Sequence, residues 1–217
     1  MRLVIKVGGS LAISKDGPKV TYFKKLIPVL KKIDSKNKMI VSIGGGKFLR
    51  KYYKDIQKLN LSHEEMEWIA IELLRVNVRF LSLLIGKKSI YTLGQIKNDT
   101  EGVIGGIRPG RSTDANAAYA AKRIGADYFI KLTNVRGIYD KDPKRYKNAK
   151  LLRHIKFSEL RHYQQNDNKP GKYGVLDKMA IDIITKNKIK TVVMSGRNPE
   201  DIFKVLNGEK IGTVIGD

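Results

Sequence analysis

The sequence contains no cysteine, which excludes disulfides, thiolate zinc sites and a cysteine nucleophile in one step. Proline is scarce, six in 217 residues, and a composition 41% hydrophobic and 29% charged belongs to a folded chain and not to a disordered or collagen-like one. No apolar run approaches the roughly 18 residues a membrane span requires. The first residues read as a strand, without a charged leader or cleavage site, so the expectation is a cytoplasmic protein with no membrane partner. Acidic side chains are also few, 21 against 43 Lys and Arg, for a formal net charge of +22. Such a field attracts phosphorylated metabolites, nucleic acid or an anionic surface without choosing among them. The basic residues are scattered (Lys24, Lys25, Lys31, Lys32, Lys87, Lys88, Lys186, Lys188 and Lys190), with no arm or low-complexity block. A Lys-rich solvated surface is therefore favoured over a dedicated nucleic-acid face.

What is present is an alternation of short β-rich runs with longer helical patterns. That pattern specifies an α/β fold, a mostly parallel sheet covered by helices on both faces. Leu3 to Val7 is an apolar run that ends at Gly8-Gly9-Ser10, and Phe23, Leu26, Ile27, Leu30 and Ile33 then recur at helical spacing. Met39 to Ile43 repeats the unit: it closes with Gly44-Gly45-Gly46 and leads into a helical segment with Phe48, Leu49, Tyr52, Tyr53, Ile56 and Leu59 on one side. The longest helical pattern, about Glu64 to Leu84, is apolar around most of its circumference, as expected of a core helix or a subunit interface. Further strands are expected at Ile90 to Leu93, Val103 to Ile107 and Tyr128 to Leu132, with an Ala-rich helix from Thr113 to Ile124. Thr133 to Lys172 is polar and loop-rich, the usual setting of a site or lid, and a helix–strand–helix–strand series follows from Asp177 to Ile215. No linker divides the chain, so residues 1–217 read as one domain.

A glycine-rich turn directly after a strand lets backbone N–H groups close on a phosphate without Cβ obstruction. Gly8-Gly9-Ser10 and Gly44-Gly45-Gly46 stand at the ends of consecutive strands, where open α/β sheets bind ligands, so two phosphates, a donor's and an acceptor's, could face each other. Neither turn has P-loop or dinucleotide spacing. Lys6 interrupts the first apolar strand two residues before the glycines; there an ammonium could neutralise charge on a transferring phosphoryl group, or simply snorkel from an edge strand. Arg50, one helical turn beyond the second turn, could grip a phosphate bidentately or lie on a basic surface. Asp177 falls at a helix start after Gly171-Lys172-Tyr173-Gly174; it is either an N-cap or a group that orients Lys6 and a magnesium ion on the ligand. Thr133-Asn134-Val135, Gly137-Ile138-Tyr139 and Asp142-Pro143 would suit a nucleobase and ribose. The three His (His63, His154 and His162) lie outside both turns. No general base is in view, and a phosphate acceptor needs none, because its second pKa is near 6.

These stretches, with Pro109-Gly110-Arg111-Ser112-Thr113-Asp114-Ala115 and Val175-Leu176-Asp177 with Ala180, resemble the amino acid kinase superfamily nearly end to end, and within it the UMP kinases of archaeal and bacterial type. The resemblance implies the amino acid kinase fold, a three-layer αβα sandwich, and transfer of the ATP γ-phosphate to UMP, a step of pyrimidine biosynthesis. It implies Lys6 and Asp177 as the catalytic pair. ATP contacts fall on Gly8, Gly9, Ser10, Thr133, Asn134, Tyr139 and Asp142, and acceptor contacts on Gly44, Gly45, Gly46, Arg50, Glu67 and Thr113. It further implies magnesium carried by the nucleotide, no metal held by the protein itself, and a homo-oligomer, a dimer or a hexamer built from dimers, with the long helix as the dimer seam. Three positions depart from the family pattern: Arg136 replaces an Asp, and Glu67 and Ala70 replace a ribose-binding Asp and a Gly, whereas Arg75 and Asn77 match. Two rivals remain. One is a kinase of the same fold for isopentenyl phosphate or aminomethylfuran phosphate; Arg50 stands where the former has His, and Ser195-Gly196-Arg197-Asn198-Pro199-Glu200 resembles the latter. The other is a non-catalytic binder of anions or nucleic acid.

Overall fold

The computed structural model describes residues 1–164 and 175–217. In chain order the elements are β1 (Arg2–Val7), α1 (Gly9–Ala12), α2 (Val20–Asp34), β2 (Lys38–Ile43), α3 (Gly46–Ile56), α4 (His63–Ile85), β3 (Ser89–Ile90) and β4 (Gly102–Ile104). They continue with α5 (Thr113–Ile124), β5 (Tyr128–Thr133), β6 (His154–Ile155), α6 (Lys178–Lys186), β7 (Thr191–Ser195), α7 (Asp201–Leu206) and β8 (Thr213–Ile215). Short 3₁₀ segments occupy Leu93–Gln95 and Phe157–Tyr163. The strands form one eight-stranded sheet in the order β3-β4-β2-β1-β5-β7-β8-β6. Every pairing is parallel except β7 with β8.

The central strands are buried on both faces, which is why they read as continuous apolar runs and not as alternating ones. Period two still sorts their side chains. Leu3, Ile5, Val7, Val41, Ile43, Ile130 and Leu132 face α2, α4 and α7 in one core layer. Val4, Ile40, Ile104, Phe129 and Val193 face α5 and α6 in the other. The result is the expected αβα sandwich.

The helices begin and end on local signals. Ser62 and Glu65 form a reciprocal capping box at the start of α4, with Ser62 N–H donating to Glu65 at 2.8 Å, and Gly86 ends the helix at φ 70°. Ser112 caps α5 by accepting the Ala115 amide at 2.9 Å. Two strands are shorter than the sequence pattern suggested. β3 stops at Ile90, and β4 stops at Ile104 because Gly105 and Gly106 leave the sheet to pack under α4. A Cβ on Gly105 would lie 2.7 Å from Val78 Cγ2, and one on Gly106 2.6 Å from Leu74 Cδ1. No helix among the described residues is long and apolar enough to cross a membrane.

Candidate active site

Parallel strands deliver their C-terminal ends to one edge of the sheet, and the loops leaving β1, β2 and β5 meet there around a cavity of about 540 Å³. The two glycine turns touch. A Cβ on Gly9 would lie 2.8 Å from the Gly46 Cα, and Gly46, at φ 66°, would drive a Cβ to 2.6 Å from the Gly9 carbonyl oxygen. Only glycine on both sides permits backbones this close, so both turns border the same space, with the Gly8 amide held by the Leu132 carbonyl at 2.9 Å. Gly8, Gly9 and Ser10 form one wall, and Gly44, Gly45 and Gly46 form the facing one.

Lys6 lies at the base of this space. It shares the α5-facing side of the sheet with Val4, and the register of β1 on β5 sets Lys6 beside Lys131. Between the two ammonium groups stands Asp114, in the first turn of α5, 3.5 Å from Lys6 Nζ and 2.7 Å from Lys131 Nζ. Both lysine side chains are only 7% exposed. Burial alone raises the Asp114 carboxyl, but Lys131 and Lys6 together hold it below the usual carboxylate range. Burial, with help from Lys6 and against the pull of Asp114, pushes the Lys131 ammonium below the ordinary lysine value. Lys131 also donates to the Val175 carbonyl, which ties the strand end to the segment that opens α6. The cluster therefore carries two cations and one anion, a net positive charge at the floor of a glycine-walled pocket.

Most residues singled out in the sequence converge here. Thr133, Asn134 and Asp142 line the far wall with Lys144, and Thr113 stands by the second turn, where its hydroxyl would be 3.6 Å from a Cβ on Gly44. Arg50 also lines the cavity, and it spans the cleft, donating to the Ser10 hydroxyl at 2.7 Å. It thus touches the first glycine turn as well as the second, to which the sequence assigned it. Asn77 reaches the Gly44 carbonyl at 3.5 Å, and Arg75 pairs with Glu72 and lies over the Tyr91 ring, so both matching residues serve α4 and the second turn.

Three of the assigned residues stand off the cavity wall. Asp177 accepts the Ala180 amide at 3.0 Å as the N-cap of α6 and pairs with the Ser112 hydroxyl, while the carboxylate within ion-pair reach of Lys6 is Asp114. Asp177 acts on the cluster only from further away, favouring charged Lys131. Glu67 lies off the cavity wall and accepts the Gly110 amide at 3.0 Å. Tyr139 is likewise off the wall, bridged to Leu151, and Arg136 is exposed, while Val135 joins Thr133, Asn134, Asp142 and Lys144 on that wall. The Gly171–Gly174 stretch expected before Asp177 lies outside the described residues. Sequence reasoning missed Lys131 and the role of Asp114. Lys131 carried the same signal as Lys6, a lysine inside an apolar strand.

Facing glycine turns over a buried cation pair, at the C-terminal edge of a parallel sheet, define an α/β protein built to hold phosphoryl groups. The sequence matches the amino acid kinase family over residues 1–95 and 98–195. The chain belongs to that family. The uridylate kinase of Methanobrevibacter smithii is 33% identical over 224 residues, covering 99% of each chain, and that of Thermococcus kodakarensis 34% over 224 residues with the same coverage. The crystal structure of uridylate kinase from Archaeoglobus fulgidus superimposes with a TM-score of 0.86 at 32% identity, covering all of both chains.

Proposed function

We propose that the protein transfers the γ-phosphoryl group of ATP to UMP, giving ADP and UDP. The observation that carries this reading is the contact between the two glycine turns directly above Lys6: two phosphate sites share one cation. In the reaction, an acceptor phosphate oxygen forms a bond to the γ-phosphorus as the bond to the β-phosphate bridging oxygen breaks. Charge spreads over the transferring group, and preorganised cations that need not move are the main protein contribution to lowering that barrier. Lys6 and Lys131 supply the cations, Asp114 keeps them aligned, and the amides of Gly9 and Ser10 hold the donor phosphates, the Gly8 amide being taken by the Leu132 carbonyl. Gly44 to Gly46 and Thr113 hold the acceptor, with Arg50 bridging the two. Asp142, Thr133 and Asn134 face the remainder of the ATP, and magnesium arrives as part of the donor substrate. The acceptor is largely ionised at neutral pH, so no general base takes part.

The uridylate kinases among the relatives support UMP as acceptor. Assembly through α4 is part of the same reading, because Trp68, Val76 and Leu83, 41%, 64% and 66% exposed, recur along one side of that helix. ADP release coupled to a panel of acceptors (UMP, CMP, isopentenyl phosphate, acetylglutamate and aspartate) tests the assignment. UMP-dependent turnover is expected, and preference for any other acceptor would replace it.

A further inference from the structure

Glu67 sits near the start of α4, where a substrate contact was expected, but one oxygen of its carboxylate is taken by the protein backbone. The loop that leaves β4 is laid along α4 in successive close contacts. Gly105 meets Val78, Gly106 meets Leu74, and about two helical turns further towards the N-terminus Glu67 takes the Gly110 amide at 3.0 Å. Gly110 adopts φ 73°, so the chain reverses there, and two residues later Ser112 caps α5. The next two positions are Thr113 and Asp114, the hydroxyl beside the second glycine turn and the carboxylate between the buried lysines. A tether at Gly110 therefore fixes where α5 begins and, through it, where both groups point. His63 lies 3.8 Å from the same Glu67 oxygen.

We infer that Glu67 is a positioning residue, which holds the Gly110 amide so that Thr113 and Asp114 are presented to the cavity, and that it makes no contact with the acceptor's sugar. The extra methylene of Glu over Asp is what carries the carboxylate to the loop backbone. The part concerning the sugar rests on the UMP reading above, whereas the tether does not.

The test compares Glu67→Ala, Glu67→Gln and Glu67→Asp in the full-length enzyme, using hydrogen exchange of the amides from Ile107 to Thr113 and kinetics with UMP and 2′-deoxy-UMP. In the alanine variant exchange at Gly110 is expected to accelerate about tenfold or more, the effect of losing one hydrogen bond to a charged acceptor. kcat/KM falls by the same factor for both nucleotides, leaving their ratio unchanged. Glu67→Gln keeps a carbonyl oxygen for the amide and restores most of the protection and activity; Glu67→Asp, too short to reach, behaves like the alanine variant. Unchanged exchange at Gly110 in Glu67→Ala would overturn the tether. A loss confined to UMP, with 2′-deoxy-UMP unaffected, would assign Glu67 to the sugar instead. If the native enzyme phosphorylates neither nucleotide, the UMP reading fails, and the exchange measurement still decides the tether.

Discussion

Asp114→Asn removes the one negative charge between Lys6 and Lys131 while keeping the shape of the side chain. Both lysine side chains are only 7% exposed, so water from the cavity replaces the lost partner incompletely. Removing one member of a buried ion pair typically costs about 3–5 kcal/mol. Here the cost is limited from above, because Lys131 already lies below its ordinary value and can release its proton once Asp114 no longer favours the charged form. We therefore expect a loss near the lower bound, about 3 kcal/mol, which for a domain of this size lowers the melting temperature by about 6–12 °C. Thermal melts followed by circular dichroism at pH 7 measure it. The pH dependence has a definite sign. The folded-state pKa of Asp114 is depressed, so its contribution is complete above the unfolded carboxylate value of about 3.9 and disappears as pH falls through the lower folded value; the two melting curves should converge in acid. Turnover should fall on the order of a hundredfold, the usual effect of losing one preorganised electrostatic group. A variant melting within about 1 °C of the native protein, with turnover within about threefold, would show that the three groups do not act as a unit.

Lys6→Ala should lower kcat by about a hundredfold or more with little change in ATP affinity, as for a contact made in the transition state; single-turnover kinetics would separate the two, and normal turnover would remove Lys6 from the mechanism. Because Lys131 is depressed, its charge is lost as pH rises through a value below the ordinary lysine range, so kcat/KM should decline on the alkaline side. Lys131→Arg should move that decline upward, and a pH profile identical to the native one would assign the limb elsewhere. Arg50→Ala should raise the KM for the acceptor about tenfold and weaken ATP as well, since Arg50 reaches Ser10; steady-state kinetics with neither constant altered would misplace the acceptor phosphate. Leu83→Lys with Val76→Lys should lower the assembly state seen in sedimentation velocity, and an unchanged mass would exclude α4 as the seam.

The fold was legible in the sequence to the extent that local rules govern it. Apolar runs buried on both faces, glycines at strand ends and helical spacing after them are signals within a few residues, and the sandwich with its two glycine turns follows from them. The sequence also exposed Lys6, because a charge inside an apolar strand is costly unless something compensates it. The compensation itself was not legible. Lys131 lies 125 positions further along the chain and Asp114 in a separate helix, and only the parallel pairing of β1 with β5, with α5 packed across them, brings the three groups into one cluster. For the same reason Asp177, which carries a helix-start signal and the family pattern alike, proved to be the cap of α6, while Glu67 turned towards a loop backbone. Sequence determined which residues were out of place for their element; strand register and helix packing decided which charges they would meet.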